Sequence, residues 1–158
     1  MRLLVIIGAG DFTGASKMGY YFARSFRALG HDVVVACGER PADGSASVAA
    51  ALAEDGFPLL EAGDFHGNLS LGVLRRVLVW AARRRVEAVV SLVQIDVKIA
   101  AAVALLLQVP MVVSAQSMTT FYGSPGLIWI KRFVYSLCLQ QARAIVCTSR
   151  REIGRAHV

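Results

Sequence analysis

The sequence predicts an α/β protein with a doubly wound, mostly parallel Rossmann-like sheet of about six strands and helices on both faces. Two observations carry this. Short β-branched apolar runs recur along the chain, and each is parted from the next by a segment of helical periodicity or a glycine-rich turn. Leu3–Ile7 is the first run, ending at Gly8, and reads as a strand buried on both faces. A glycine-rich loop follows, then a helix from about Ser16 to Leu29, where Met18, Phe22, Phe26 and Leu29 recur at helical spacing until Gly30 stops it. Val33–Cys37 is the second strand, which completes a crossover unit of the right-handed parallel kind.

The same alternation continues. A polar stretch at 42–47 leads to a helix over Val48–Asp55 and a short strand Phe57–Leu60. A basic helix spans roughly Leu71–Arg85, followed by a strand Ala88–Val93. Ile99–Leu107 is an alanine- and leucine-rich helix, and Val109–Ser114 a strand that carries Pro110 near its start, where a missing N–H is tolerated. After a loop at Ser117–Pro125 come a helix Leu127–Gln141 and a sixth strand Ala144–Thr148.

A length of 158 residues fits one domain. With 56% hydrophobic residues, 18% charged residues and a mean hydropathy of +0.55, disorder is excluded, and the chain is greasier than most free-standing soluble domains. That excess implies a membrane contact or an absent partner domain. No apolar stretch reaches the roughly 18 residues of a membrane span, because Asp96, Lys98 and Pro110 divide the greasiest region. The opening apolar run is too short for a signal peptide. The net charge of +6 suits anionic lipid or phosphate, whereas aromatics at 8%, with no basic–aromatic interleaving on short strands, argue against nucleic acid. Cys37, Cys138 and Cys147 form no Cys-x-x-Cys pair, so a disulfide framework or zinc site is not expected and a reducing cytoplasm fits. His31, His66 and His157 are too scattered for a metal site, and no Walker, nucleophile-elbow or zinc-protease motif is present.

The loop Gly8-Ala9-Gly10-Asp11-Phe12-Thr13-Gly14-Ala15-Ser16 joins a strand to a helix N-terminus, a place where backbone amides and the helix dipole favour a phosphate. Gly10, Thr13, Gly14, Ala15 and Ser16 are the candidates, with Ser16 the better expectation as a helix N-cap. The spacing Gly-x-Gly-x-x-x-Gly is one residue longer than the dinucleotide fingerprint. Glu39, just past the second strand, could take the ribose of NAD, so a nicotinamide-binding reductase domain is a rival reading.

Gly14-Ala15-Ser16, the helix ending Arg27-Ala28-Leu29-Gly30-His31-Asp32-Val33-Val34-Val35, the run Val109-Pro110-Met111-Val112-Val113-Ser114 and the segment Gln141-Ala142-Arg143-Ala144-Ile145-Val146-Cys147-Thr148-Ser149 together resemble the N-terminal half of family 4 glycosyltransferases of GT-B fold. The resemblance covers nearly all of residues 1–151. It implies sugar transfer from a nucleotide sugar, with no cofactor, and with this domain holding the acceptor, a glycan or lipid of cell-envelope synthesis. It further implies a donor domain with a Glu-x7-Glu signature beyond Arg151, so that this chain alone would be inactive. Departures from the family pattern are Ala15 in place of the second glycine, Gln116 at a position often histidine, and Ser91 and Val93 where a His-x-His pair is common. Gln94, Asp96, Gln116 and Ser117, at the carboxyl ends of strands, are the acceptor-binding candidates, because parallel sheets bind ligands along that edge.

Arg75, Arg76, Arg83, Arg84 and Arg85 lie on or beside the basic helix, and a second helix carries Trp129, Lys131, Arg132, Phe133 and Tyr135. Facing water is the plain expectation. Contact with the inner face of an anionic membrane is the alternative, and at its extreme the chain would be a non-enzymatic membrane-surface module. The last seven residues, Glu152–Val158, back-translate as GAG ATC GGA AGA GCA CAC GTC, the opening of a widely used short-read sequencing adapter. On that reading natural sequence stops near Arg151 and 152–158 is a non-native tail.

Overall fold

The apolar runs pair side by side in a single six-stranded sheet, all neighbours parallel, in the computed structural model. The structure describes residues 1–12, 14–65, 70–92, 94–115 and 125–147, of which the side chains of 15, 94, 95, 115, 125–128, 130, 131 and 147 are outside the description. Strands are β1 (Arg2–Ile7), β2 (Asp32–Cys37), β3 (Leu59–Glu61), β4 (Ala88–Ser91), β5 (Met111–Ala115) and β6 (Ala142–Cys147). Helices are α1 (Gly14–Ala28), α2 (Val48–Glu54), α3 (Leu71–Arg83), α4 (Gln94–Leu107) and α5 (Pro125–Gln140).

The strand order is β3-β2-β1-β4-β5-β6, so the winding reverses between β1 and β4. Side chains alternate accordingly. Leu4 and Ile6 enter a core with α3, α4 and α5, while Val5 and Ile7 enter another with α1 and α2. The carboxyl ends of β1 and β4 therefore meet at the switch point, the edge where doubly wound sheets take ligands.

The helix boundaries differ from expectation in instructive places. Met18 on α1 is 41% exposed and Leu29, just past its end, 73%, whereas Ser16, Gly19 and Ala23 are buried. Helix α1 lies so close to the sheet that a Cβ on Gly19 would come within 2.7 Å of Ile7 and Leu92 side-chain carbons. Small residues thus form its inner stripe, with Phe22 and Phe26 at the flank. Helix α4 starts at Gln94, five residues before the expected Ile99, and β4 ends at Ser91 rather than Val93. Pro110 precedes β5 instead of opening it, and its carbonyl accepts from Val89 N–H at 2.9 Å. Helix α3 stops at Arg83: Arg84 is its C-cap and Arg85 has φ 53°.

Four helices end in the same way. After α1, α2, α3 and α4 the chain passes through Gly30, Gly56, Arg85 and Gln108, all at positive φ. The next residue's N–H reaches back five, as in His31 to Phe26, Phe57 to Leu52, Val86 to Ala81 and Val109 to Ala104. This is the Schellman closure, which satisfies the last carbonyls of a helix and turns the chain straight into the following strand. Repeating it brings these four helices back to the amino edge of the sheet and leaves the carboxyl edge to the loops that follow the strands.

Candidate functional site at the carboxyl edge of the sheet

The glycine loop leaves β1 and is fixed on three sides. Gly8 N–H donates to Asp96 Oδ2 at 3.2 Å, Val48 N–H donates to the Gly10 carbonyl at 3.1 Å, and Phe12 N–H donates to the Ala46 carbonyl at 2.8 Å. Two loop amides, those of Gly8 and Phe12, are therefore already engaged. Gly10 packs so tightly on the chain after β2 that a Cβ there would overlap the Glu39 carbonyl oxygen, and one on Gly38 would lie 2.9 Å from Ala9 C and Gly10 N. These glycines let two backbones touch. Gly14 begins α1 with φ 38° and open space around it.

Two site expectations need correction. Ser16 is 1% exposed and lies inside the first turn of α1, its hydroxyl donating to the Asp11 carbonyl, so it is neither the N-cap nor an open ligand contact. Asp96 is 0% exposed. Its Oδ1 accepts the Ser91 hydroxyl at 2.6 Å while Oδ2 takes Gly8, so one carboxylate ties β1, β4 and α4 together at the switch point. Its place in the first turn of α4 also sets a negative charge where the helix dipole favours it. Asp96 is a positioning residue, closed to an acceptor by burial. Ser91, at the family's histidine-pair position, is consumed in the same bond.

Gln94 opens α4, with its side chain outside the description, as is that of Ala15. Thr13, Gln116 and Ser117, and the tail 152–158, lie outside the described residues. Gln116 is next in the chain after the last residue of β5.

Beside the glycine loop the edge opens into a cleft of about 340 Å³, formed by the ends of β2 and β3 and the start of α3 and lined by Glu39, Gly63, Asp64, Ser70, Gly72, Val73 and Arg76. Ser70 caps α3, its Oγ accepting from Val73 N–H at 3.4 Å. Arg76 donates to the Ala62 carbonyl at 3.3 Å, which turns this one of the five arginines into the cleft. Gly63 has φ 114°, and a Cβ there would sit 3.6 Å from both Glu39 Oε1 and an Arg76 terminal nitrogen. A glycine thus keeps space open between a carboxylate and a guanidinium. The neighbouring Arg40–Glu61 pair at 2.9 Å closes on itself. The sequence reading singled out Glu39 and Arg76 for other roles and missed the cleft, since its walls come from three separate segments.

Other expectations find definite places. Arg75 and Arg83 are exposed on α3, in line with exposed Leu71 and Val79. Arg84 stacks over Trp80 at 5.4 Å. On α5, exposed Trp129 lies parallel to exposed Phe133, centroids 5.9 Å apart. Burial pushes the Cys37 thiol up to about 12, aided by Glu61. Among the described residues no group of three or more His, Cys, Asp or Glu is placed to hold a metal, and no helix is long and apolar enough to cross a membrane.

Comparison with known families decides what this edge belongs to. The model of the glycosyl transferase 4-like domain matches residues 13–157. The chain belongs to that family. As a glycosyl transferase 4-like domain it shares its fold with solved GT-B glycosyltransferases. HepE of Anabaena, in complex with UDP, superposes at TM-score 0.73 with 15% identity, over 99% of this chain and 41% of that one. MurG of Acinetobacter baumannii gives 0.62 and 13%, over 92% and 40%. The UDP-GlcNAc 2-epimerase of Methanocaldococcus jannaschii gives 0.62 and 14%, over 100% and 43%. The chain spans about two fifths of the length of these structures, and no curated protein matches it. That an epimerase shares the layer shows why the family match, and not the fold, decides against a nicotinamide reductase.

Proposed function

We propose that this glycosyl transferase 4-like domain is the acceptor-side half of an enzyme that moves a sugar from a nucleotide sugar to a glycan or lipid acceptor in envelope polysaccharide, lipid-linked oligosaccharide or glycolipid synthesis. The donor domain, with its paired glutamates, lies beyond Arg151 in this reading, and the chain by itself does not turn over. The carrying observation is the family match together with a carboxyl edge on which a pinned glycine loop adjoins an open polar cleft. HepE has been captured with UDP and with UDP-glucose, which supports a nucleotide-sugar donor here.

In this account Gly10, Thr13, Gly14 and Ala15 of the glycine loop are assigned to the donor phosphates, and Gln94, Gln116 and Ser117 to the acceptor. Expression of the complete reading frame from the source DNA, followed by incubation with UDP-, GDP- and dTDP-sugars and a membrane extract as acceptor, tests it. Nucleotide-dependent transfer is expected from the complete frame and none from the 158-residue chain. Absence of transfer from every donor, with saturable NADH binding that Glu39→Ala abolishes, would overturn it.

Association with the inner membrane surface is part of the same proposal. Helices α3, α4 and α5 share one face of the sheet, and their outer surfaces carry exposed Leu71, Val79, Leu105, Leu106, Trp129 and Phe133 together with Arg75, Arg83 and Arg132. Each basic residue near an anionic surface contributes about 1 kcal/mol. Sedimentation with phosphatidylglycerol vesicles at low salt should pull the chain down and should weaken in Arg75→Glu/Arg83→Glu. No sedimentation removes the membrane from the account.

A further inference from the structure

We propose that Tyr20 and Asp55 are positioning residues of the glycine loop, acting through α2 as a strap that runs from the loop to the middle of α1. The proposal rests on the transferase reading only for what the loop would hold, the donor phosphates.

The strap is tied to the loop at its amino end. Val48 N–H, the first of α2, donates to the Gly10 carbonyl at 3.1 Å, Phe12 N–H donates to the Ala46 carbonyl at 2.8 Å, and Asp11 and Ser47 form an antiparallel bridge. At its other end α2 is tied to α1. The Tyr20 hydroxyl donates to Asp55 Oδ2 at 2.8 Å, Arg24 Nε stands 3.4 Å from the same oxygen, and an Arg27 terminal nitrogen donates to the Asp55 carbonyl at 2.7 Å. Tyr20 closes the ring of contacts, because its aromatic ring meets that of Phe12 in a T-shaped pair at 5.4 Å. One tyrosine thus touches the loop with its ring and the far end of the strap with its hydroxyl.

The latch at Asp55 matters because α2 is weak without it. Seven residues are too few for a helix to be stable on its own. Its buried residues are Val48, Ala49 and Leu52, and nothing on the helix after Leu52 is buried, so the core holds its start and Asp55 its end. A carboxylate at a helix C-terminus also opposes the helix dipole. Glu54 and Asp55 close α2 with no basic residue in its last turn, and at Asp55 the Tyr20 bond offsets that local cost. The same bond holds the Tyr20 phenol above its ordinary pKa. A helix of this length, about 10 Å, moves as one body, so release of its far end is felt at Val48 and the loop.

Amide hydrogen exchange of the 158-residue chain, read residue by residue by nuclear magnetic resonance, tests this. The probes are Phe12 and Val48, whose N–H groups make the two ties, with Val89, bonded to the Pro110 carbonyl, as the reference. Tyr20→Phe keeps the ring and removes only the hydroxyl. Asp55→Ala removes the acceptor at an ordinary right-handed backbone position, φ −77° and ψ 0°. Each should speed exchange at Phe12 and Val48 about tenfold, the effect of losing one hydrogen bond, and leave Val89 unchanged. Asp55→Asn, which still offers Tyr20 an oxygen, should exchange like the natural chain. Unchanged rates at Phe12 and Val48, equal acceleration at Val89, or an Asp55→Asn variant that behaves as Asp55→Ala would overturn the proposal. If the expected pattern holds while the complete frame transfers no sugar, the transferase reading fails and the strap stands. Transfer with unchanged exchange is the reverse.

Discussion

Asp96 does with one carboxylate what a switch-point crevice otherwise lacks a strut for. It accepts from the β1 loop and from β4 while seated in the first turn of α4. Truncating it to alanine leaves the Gly8 amide and the Ser91 hydroxyl without that partner in a dry site, and unsatisfied buried polar groups cost about 1–3 kcal/mol each. Asp96→Ala should therefore lower stability by about 2–4 kcal/mol, measured by urea unfolding, and loosen the glycine loop in hydrogen exchange. Cys37 gives a pH signature. Its thiol ionises near 9 when free and is held up to about 12 in the fold by burial. The folded chain keeps a proton that the unfolded chain releases, so this stabilisation is complete below pH 9 and drains away as pH rises toward 12. Stability should fall by up to about 1.4 kcal/mol per pH unit in that window, and Cys37→Ala should flatten the slope.

At the scale of elements, the strands were legible because β-branched runs bounded by glycine admit little else. Helix ends were legible where glycine marks the left-handed residue, at Gly30, and at Leu107, where the alanine- and leucine-rich run stops, whereas α3 was carried two residues too far because Arg85 holds the same geometry without a glycine. No composition rule points to an arginine or glutamine at positive φ. Those two positions carry avoidable strain, so Gln108→Gly should raise stability by about 0.5–1 kcal/mol, and Arg85→Gly likewise, in thermal unfolding. The start of α4 was hidden by an apolar run, Leu92-Val93-Gln94-Ile95, that continues the strand pattern. What turns it into a helix is Asp96 reaching back to Ser91 and Gly8, a tertiary contact with no local signature. The inner face of α1 misled for a related reason. Large apolar residues were expected inward, yet close packing on Ile7 and Leu92 admits only Ser16, Gly19 and Ala23.

For the whole molecule, six parallel strands with reversed winding follow from alternation alone, and the family from four segments in register. The cleft did not, because Glu39, Gly63 and Arg76 are brought together only by the β2–β3–α3 path. The proposed reading of this chain as one lobe of a two-lobed sugar transferase fits the excess of apolar residues, the family match over 13–157 and the coverage of about two fifths of related structures. The most direct measurement is to read the source DNA through codon 151 and several hundred bases on, from a primer inside the gene. The account expects the frame to depart from the adapter-like codons and continue into a second α/β domain carrying Glu-x7-Glu. A stop codon directly after Val158, with the codons for 152–158 present in the genomic template, would contradict it.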